Sequence, residues 1–331
     1  MNKTGTALTV ETLPGRLTPD LAALLAAVEA EAGPQPDTTL MPPAEGRHVV
    51  ARINQRWNRD LPAMASTADV TVPADATLGS ADCAVQVLVP PNAGAGALIF
   101  IHGGGFAFGN PQTHERCARV LAIEAGLPVL SPDYRLSPEH PFPAGLTDIV
   151  ACLRAAFEAA AQAGVRPGPL IVSGDSAGAN LALAAMLHEQ QAGRPLPAGA
   201  LLFYGAYDAD FDTPSYRRFR DGPGLTTGKM RRYWDWYVAD EAARRNPLAS
   251  PLHASDAALR ALPPLHLMAA EIDPILSDTL NLGARLASLG RPERVHLATG
   301  ATHGFLQMTG MLADARQALA EAGAAARAMI A

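Results

Sequence analysis

Residues 170–187 read Leu170-Ile171-Val172-Ser173-Gly174-Asp175-Ser176-Ala177-Gly178-Ala179-Asn180-Leu181-Ala182-Leu183-Ala184-Ala185-Met186-Leu187. The apolar run Leu170 to Val172 has strand length and Ala179 to Leu187 reads as helix, so the GxSxG pattern at Gly174 to Gly178 falls on a strand-to-helix turn. With 29 glycines in the chain, the bare pattern is expected roughly 0.08 times by chance, so its setting carries more weight than the string. A serine at such a turn sits in strained backbone at the carboxyl edge of a sheet, and the flanking glycines leave room for close strand–helix approach. Ser176 is the candidate nucleophile. A passive serine in a glycine-rich turn is the competing reading.

Around this stretch, further apolar runs of strand length alternate with helical patterns. The runs are Leu98 to Ile101, Leu127 to Leu130, Ala200 to Tyr204, Leu265 to Ala269 and Val295 to Ala298. Helical segments are expected at 112–125, 143–163, 177–192, 278–289 and 311–330. That alternation predicts an α/β fold with a mostly parallel sheet buried on both faces. Two β-favouring runs precede it, Asp69 to Val72 and Cys83 to Val89. Before them, Leu17, Leu21, Leu24, Leu25 and Val28 repeat at helical spacing, with Thr18 as N-cap and Pro19 at the first helical position. After a proline-rich joint, a second helix is expected around 46–59. The interval 207–262 is longer than a crossover needs and is rich in aromatic residues, which marks an insertion above the sheet.

A second glycine motif, His102-Gly103-Gly104-Gly105-Phe106, directly follows the run Leu98 to Ile101. Its chance expectation is about 0.006. Successive glycines let backbone N–H groups turn toward a developing negative charge, which side chains would obstruct.

With both motifs in view, the chain resembles the bacterial hormone-sensitive-lipase-like (family IV) esterases of the α/β-hydrolase superfamily. Tyr134 to Ala144 is similar to that family's YRLxPExxxPA segment, Asp273-Pro274-Ile275 to its DPL and His303-Gly304-Phe305 to its HGF. The departures are Ala179 where the family has a further glycine, Ile275 for leucine, and Gly205 after Tyr204 where it has proline. The resemblance implies an α/β-hydrolase fold with a helical cap. Residues 1–65 are the expected N-terminal cap segment, 66–206 the first part of the core, 207–245 the cap insertion and 246–331 the second part of the core.

Acyl transfer needs a base and an orienting acid, and the chain order in this fold is serine, acid, histidine. Of the histidines after Ser176, His266 and His296 sit in apolar runs and suit a satisfied core or surface role. His253 precedes the next strand end. His303 follows the last strand in a loop and is the expected base. Asp273, just past the run ending at Ala269, is the expected acid. Of its rivals, Asp278 suits a cap on the following helix, and Glu271 comes too early along the strand. The oxyanion donors expected are the N–H groups of Gly104, Gly105 and Ala177. His102 is read as a brace for the glycine loop, Arg135 and Glu139 as a structural pair. Phe106, Phe211 and Phe305 are expected to line the substrate pocket, while Trp234 and Trp236, two apart on a helix, cannot both face it.

Composition narrows the function further. With 48% hydrophobic and 18% charged residues, the chain has material for a core and is not a disordered tail. A net charge of −6 argues against nucleic acid, which demands a basic face. No run is long and apolar enough to span a membrane, and the start of the chain lacks a signal-peptide core, so a cytoplasmic protein is expected. Cys83, Cys117 and Cys152 match no metal or redox spacing. His188-Glu189-Gln190-Gln191-Ala192 lacks the second histidine of a zinc-peptidase helix, and Gly228-Lys229-Met230 lacks the rest of a phosphate loop. No metal or cofactor is expected.

The expected activity is hydrolysis of short-chain esters, about two to eight acyl carbons, through an acyl-enzyme on Ser176; the chain length is what the resemblance implies. Amide or carbamate hydrolysis and acyl transfer with the same triad remain alternatives. A ligand receptor of the gibberellin-receptor type is disfavoured, because those relatives have lost the catalytic histidine and His303 is present. Monomer and homodimer are both left open.

Overall fold

In the computed structural model, which describes residues 9–331, the apolar runs line up edge to edge. They form β1 (Ser66–Val72), β2 (Cys83–Val89), β3 (Ala97–Ile101), β4 (Val129–Pro132), β5 (Leu170–Asp175), β6 (Gly199–Phe203), β7 (Leu265–Ile272) and β8 (Val295–Thr302). The order across the sheet is β1-β2-β4-β3-β5-β6-β7-β8. The β1–β2 and β2–β4 pairs are antiparallel, and the remaining pairs are parallel. This is the mostly parallel sheet that the alternating pattern predicts.

The helices are α1 (Pro19–Ala32), α2 (Pro43–Asn54), α3 (Glu115–Ala125), α4 (Ala144–Ala160), α5 (Ala177–Gln191), α6 (Pro214–Arg218), α7 (Thr227–Tyr237), α8 (Asp256–Arg260), α9 (Leu276–Ser288) and α10 (Ala313–Ile330). Strand side chains alternate between the two faces, and β3 shows the consequence. Ile99 and Ile101 join a core with α4, α5 and α9, whereas Leu98 and Phe100 join a second core with α3 and α10. Both faces are covered, so β3 and β7 are buried along their whole length. Helix α5 is buried on every side from Ala177 to Leu187, which its alanines permit by allowing close approach.

The N-terminal helix behaves as its pattern requires: Thr18 accepts the Leu21 N–H, Pro19 opens the helix and Leu21 is buried. The second helix differs from expectation. It begins at Pro43, where a missing N–H is harmless, and ends at Asn54. Beyond that point Arg116 takes the carbonyl oxygens of Trp57, Arg59 and Asp60, which helical hydrogen bonding cannot then use. In the interval after β6, Tyr207, Tyr216, Trp234 and Tyr237 are buried within the larger core. The expected N-terminal segment begins with eight residues that lie outside those described.

For function, one register matters most. Ile101 at the end of β3 pairs with Gly174 near the end of β5. The two glycine motifs therefore leave the sheet side by side at its carboxyl edge, where open α/β sheets bind their ligands.

Candidate active site

The turn from β5 into α5 admits only glycine at its flanks. A side-chain carbon on Gly178 would lie 1.9 Å from the Ile101 carbonyl oxygen, and one on Gly174 would lie 2.4 Å from the Gly178 backbone. Ser176 between them has φ 56° and ψ −120°, a conformation that L-residues avoid and that is held only by its surroundings. Its N–H donates to the Phe203 carbonyl at 2.9 Å.

His303 and Asp273 meet this serine. The Ser176 hydroxyl donates to His303 Nε2 at 2.9 Å, and His303 Nδ1 donates to the Asp273 carboxylate at 2.6 Å. Asp273 is fully buried, and its other oxygen accepts the Ile275 N–H at 2.9 Å. Burial alone would depress the His303 imidazole. The Asp273 charge and hydrogen bond, with Asp175 behind them, outweigh it and hold the imidazole above its ordinary value. Tyr204 sets its ring edge-on to His303, with centroids 4.9 Å apart.

The glycine loop lies beside the serine. Gly104 has φ 121° and Gly105 φ 60°. A side chain on Gly104 would meet the Phe108 carbonyl, and one on Gly105 the ring of Tyr233. Among the described residues, none accepts a hydrogen bond from the N–H groups of Gly104, Gly105 or Ala177. Uncommitted donors grouped at a nucleophile are what a developing oxyanion requires.

Besides His102, bracing of this loop comes from residues that the sequence reading did not single out. Asp175, next to the serine, accepts the Gly103 N–H at 2.8 Å, and His114 Nε2 stands 3.5 Å from the same carboxylate. Burial would raise the Asp175 carboxyl, but His114 and the Gly103 N–H outweigh it and keep it below the usual range. Arg47 of α2 donates to the carbonyls of Ala107 and Ser137, at 2.9 Å each. His102 turns Nδ1 to its neighbour Gly103, at 2.9 Å from the carbonyl oxygen, and stacks on Tyr134. Burial, with His114 nearby, pushes it down to about 3, so it is a neutral imidazole at ordinary pH. Asp175 had a signal available, as the residue before the serine. Arg47 and His114 had none.

Several sequence expectations need correction. Asp278 does not cap α9; it lies inside the first turn and accepts the N–H groups of Tyr207 and Asp208, at 2.8 and 3.1 Å. Burial pushes its carboxyl well up. Arg135 and Glu139 are not partners: Arg135 pairs with Asp148 and Glu139 with Arg47. His266 is buried with Nε2 lacking a partner among the described residues, so it is not the satisfied histidine expected. Phe106 and Phe305 are almost wholly buried. Phe106 stacks on Tyr237 at 3.7 Å and Phe305 packs against Tyr204, so both are core rings that offer almost no surface to a substrate. Phe211 is half-buried and lines a separate cavity with Asp208 and Arg231. Trp234 is buried while Trp236 packs on Phe108, in line with their opposed directions on α7. Glu271, the other rival acid, binds the N–H groups of Gly15 and Gly300.

Among the described residues, no group of three or more His, Cys, Asp or Glu side chains is placed to hold a metal ion, and no helix is long and apolar enough to cross a membrane.

The chain is similar to known proteins in both sequence and fold. Residues 98–307 match a family described as alpha/beta hydrolase fold. Esterase LipI of Mycobacterium tuberculosis is 34% identical over 69% of this chain and 71% of its own. Carboxylesterase NlhH of the same species is 34% identical over 72% and 76%. The crystal structure of a thermostable esterase from Pseudomonas putida superposes with a TM-score of 0.87 at 29% identity, covering 96% of this chain and 98% of that one. The chain belongs to the hormone-sensitive-lipase-like esterases of the α/β-hydrolase family and is a carboxylic ester hydrolase.

Proposed function

We propose that the enzyme is a serine carboxylesterase working through an acyl-enzyme on Ser176. The observation that carries this reading is the continuous hydrogen-bonded line from Ser176 through His303 to buried Asp273. In the proposed cycle His303 Nε2 takes the hydroxyl proton as Oγ attacks the ester carbonyl, then delivers it to the departing alcohol. Water repeats the sequence on the acyl-enzyme and releases the carboxylic acid. Asp273 fixes the imidazole tautomer and stabilises its charged form. The N–H groups of Gly104, Gly105 and Ala177 receive the oxyanion.

Residues 1–65 and 207–245 are proposed as a two-part cap over this centre. Support comes from Tyr233 of α7, whose ring occupies the space above Gly105, and from Arg232, which pairs with Asp37 and so joins the two segments. A roofed pocket favours acyl groups of about two to eight carbons. Each methylene gains about 0.8 kcal/mol only while there is length to receive it, and overfilling costs about 1–3 kcal/mol. The three buried, unbridged cysteines fit a reducing, cytoplasmic setting.

The test is kcat/KM for 4-nitrophenyl esters from acetate to palmitate, below and above their solubility limit. A maximum at or below the octanoate is expected. A maximum at palmitate, or a jump once emulsion forms, overturns the short-chain reading.

A further inference from the structure

Two guanidinium groups away from the serine are largely buried without close anionic partners. Arg116, the second residue of α3, is 9% exposed. It donates to the carbonyl oxygens of Trp57, Arg59 and Asp60, which are neutral acceptors, and its charge forms no ion pair among the described residues. Arg56, just past α2, has a side chain only 14% exposed, and its loose partner Glu31 stands 3.8 Å away and is itself 63% exposed. Nε and Nη1 of Arg56 are buried, and among the described residues neither meets a hydrogen-bond acceptor.

Both side chains line one cavity of about 420 Å³, shared with Arg59, Asp60 and Met311. Among the described residues Asp60 is the only carboxylate on that wall, and it pairs with none of the three arginines. Buried charge is normally compensated by a partner, and buried N–H groups left without acceptors are destabilising. Water satisfies a donor but does not neutralise a charge. A planar guanidinium fork matches the paired oxygens of carboxylate or phosphate.

We propose that this cavity binds a small oxyanion, carboxylate or phosphate, between Arg56 and Arg116. The bound anion would fasten the turn at 56–60 to the start of α3 and to the turn at Gly310 and Met311. It would thereby fix the joint between the N-terminal segment and the sheet's helices. A carboxylate is also what ester hydrolysis releases, whereas phosphate is independent of the reaction, so the two sources are separable.

The experiment is thermal unfolding of the full chain at fixed pH and ionic strength, with chloride replaced stepwise by phosphate or by acetate. At least one of the two anions should give a saturable rise in Tm of about 1–5 °C, and which one does so identifies the source. Phosphate also stabilises proteins generally, without saturation, so two variants decide. Arg56→Gln should lose the saturable component and keep only the linear one. In Gly310→Asp the new side chain starts 3.3 Å from the Arg116 guanidinium carbon and supplies a carboxylate from the chain itself. Its Tm in chloride should rise and its anion response should vanish. A wild-type protein with no saturable rise in either anion, or variants that keep the wild-type increment, would overturn the proposal.

Discussion

The Asp175 carboxylate accepts the N–H of Gly103 at 2.8 Å, tying the residue before the proposed nucleophile to the loop that carries the proposed oxyanion donors. Serine and donors are therefore set by one buried contact between adjacent strand ends. Asp175→Ala leaves the Gly103 N–H without an acceptor, at a cost of about 1–3 kcal/mol in stability. It should lower kcat by about 10- to 100-fold with little change in KM, since complete loss of one oxyanion donor costs about 10²- to 10³-fold. Asp175→Asn keeps an acceptor in place and should recover much of the loss. Steady-state kinetics and urea unfolding check both; unchanged kcat in the alanine variant would separate Asp175 from loop positioning.

Asp273 is proposed as the acid because it contacts His303, and two aspartates five residues apart provide the control. Asp273→Asn should lower kcat by orders of magnitude, about 10⁴-fold as for an Asp→Asn change in a serine protease that leaves the imidazole in the wrong tautomer. Asp278→Asn keeps an oxygen facing the Tyr207 and Asp208 N–H groups and removes a carboxyl whose charge burial already disfavours, so most activity should remain. The reverse pattern would move the acid to Asp278.

For pH, the sign follows from His303. In the proposed mechanism the neutral imidazole is the active form, and its pKa is held above the ordinary value of about 6.5. Activity as kcat/KM should therefore rise with pH along a limb whose midpoint lies above 6.5. Asp273→Asn removes the charge that outweighs burial, so its residual activity should show the limb displaced to lower pH. A wild-type midpoint below 6.5, or no displacement in the variant, would contradict this electrostatic account.

What was legible in the sequence was local. GDSAG and HGGGF announce themselves because backbone clashes at Gly178 and Gly104 forbid other residues, and strand runs with helices between them follow from side-chain period. What was not legible spans long separations. Arg47 and Glu139 are 92 residues apart, and nothing in either neighbourhood names the other; adjacency in sequence suggested Arg135 instead. Buried aromatic rings gave a similar error, since Phe305, close to His303 in sequence, is buried against Tyr204 and does not face a pocket. One departure from the family pattern does have a physical reason. The ring of Tyr207 lies where a side chain on Gly205 would stand, 2.2 Å from its ring carbon, which leaves no room for proline.

The same steric argument makes Gly178→Ala a sharp test of the turn. Its new methyl would sit 1.9 Å from the Ile101 carbonyl oxygen, and backbone on both sides leaves no flexible atom to yield. Expression as soluble protein should collapse, or Tm should fall steeply with loss of activity, by circular dichroism and ester turnover. Near-normal Tm and turnover would show that α5 packs less tightly on β3 than described.

The central claim, an acyl-enzyme on Ser176 driven by His303, is tested most directly by active-site labelling read by mass spectrometry. Purified enzyme treated with a fluorophosphonate should gain one phosphonyl group per chain, located on the peptide containing Ser176, in step with loss of ester hydrolysis. Ser176→Ala should take up no label and have no turnover while unfolding at nearly the wild-type Tm, and His303→Ala should label far more slowly. A label found on another residue, or substantial hydrolysis by a folded Ser176→Ala protein, would contradict the account.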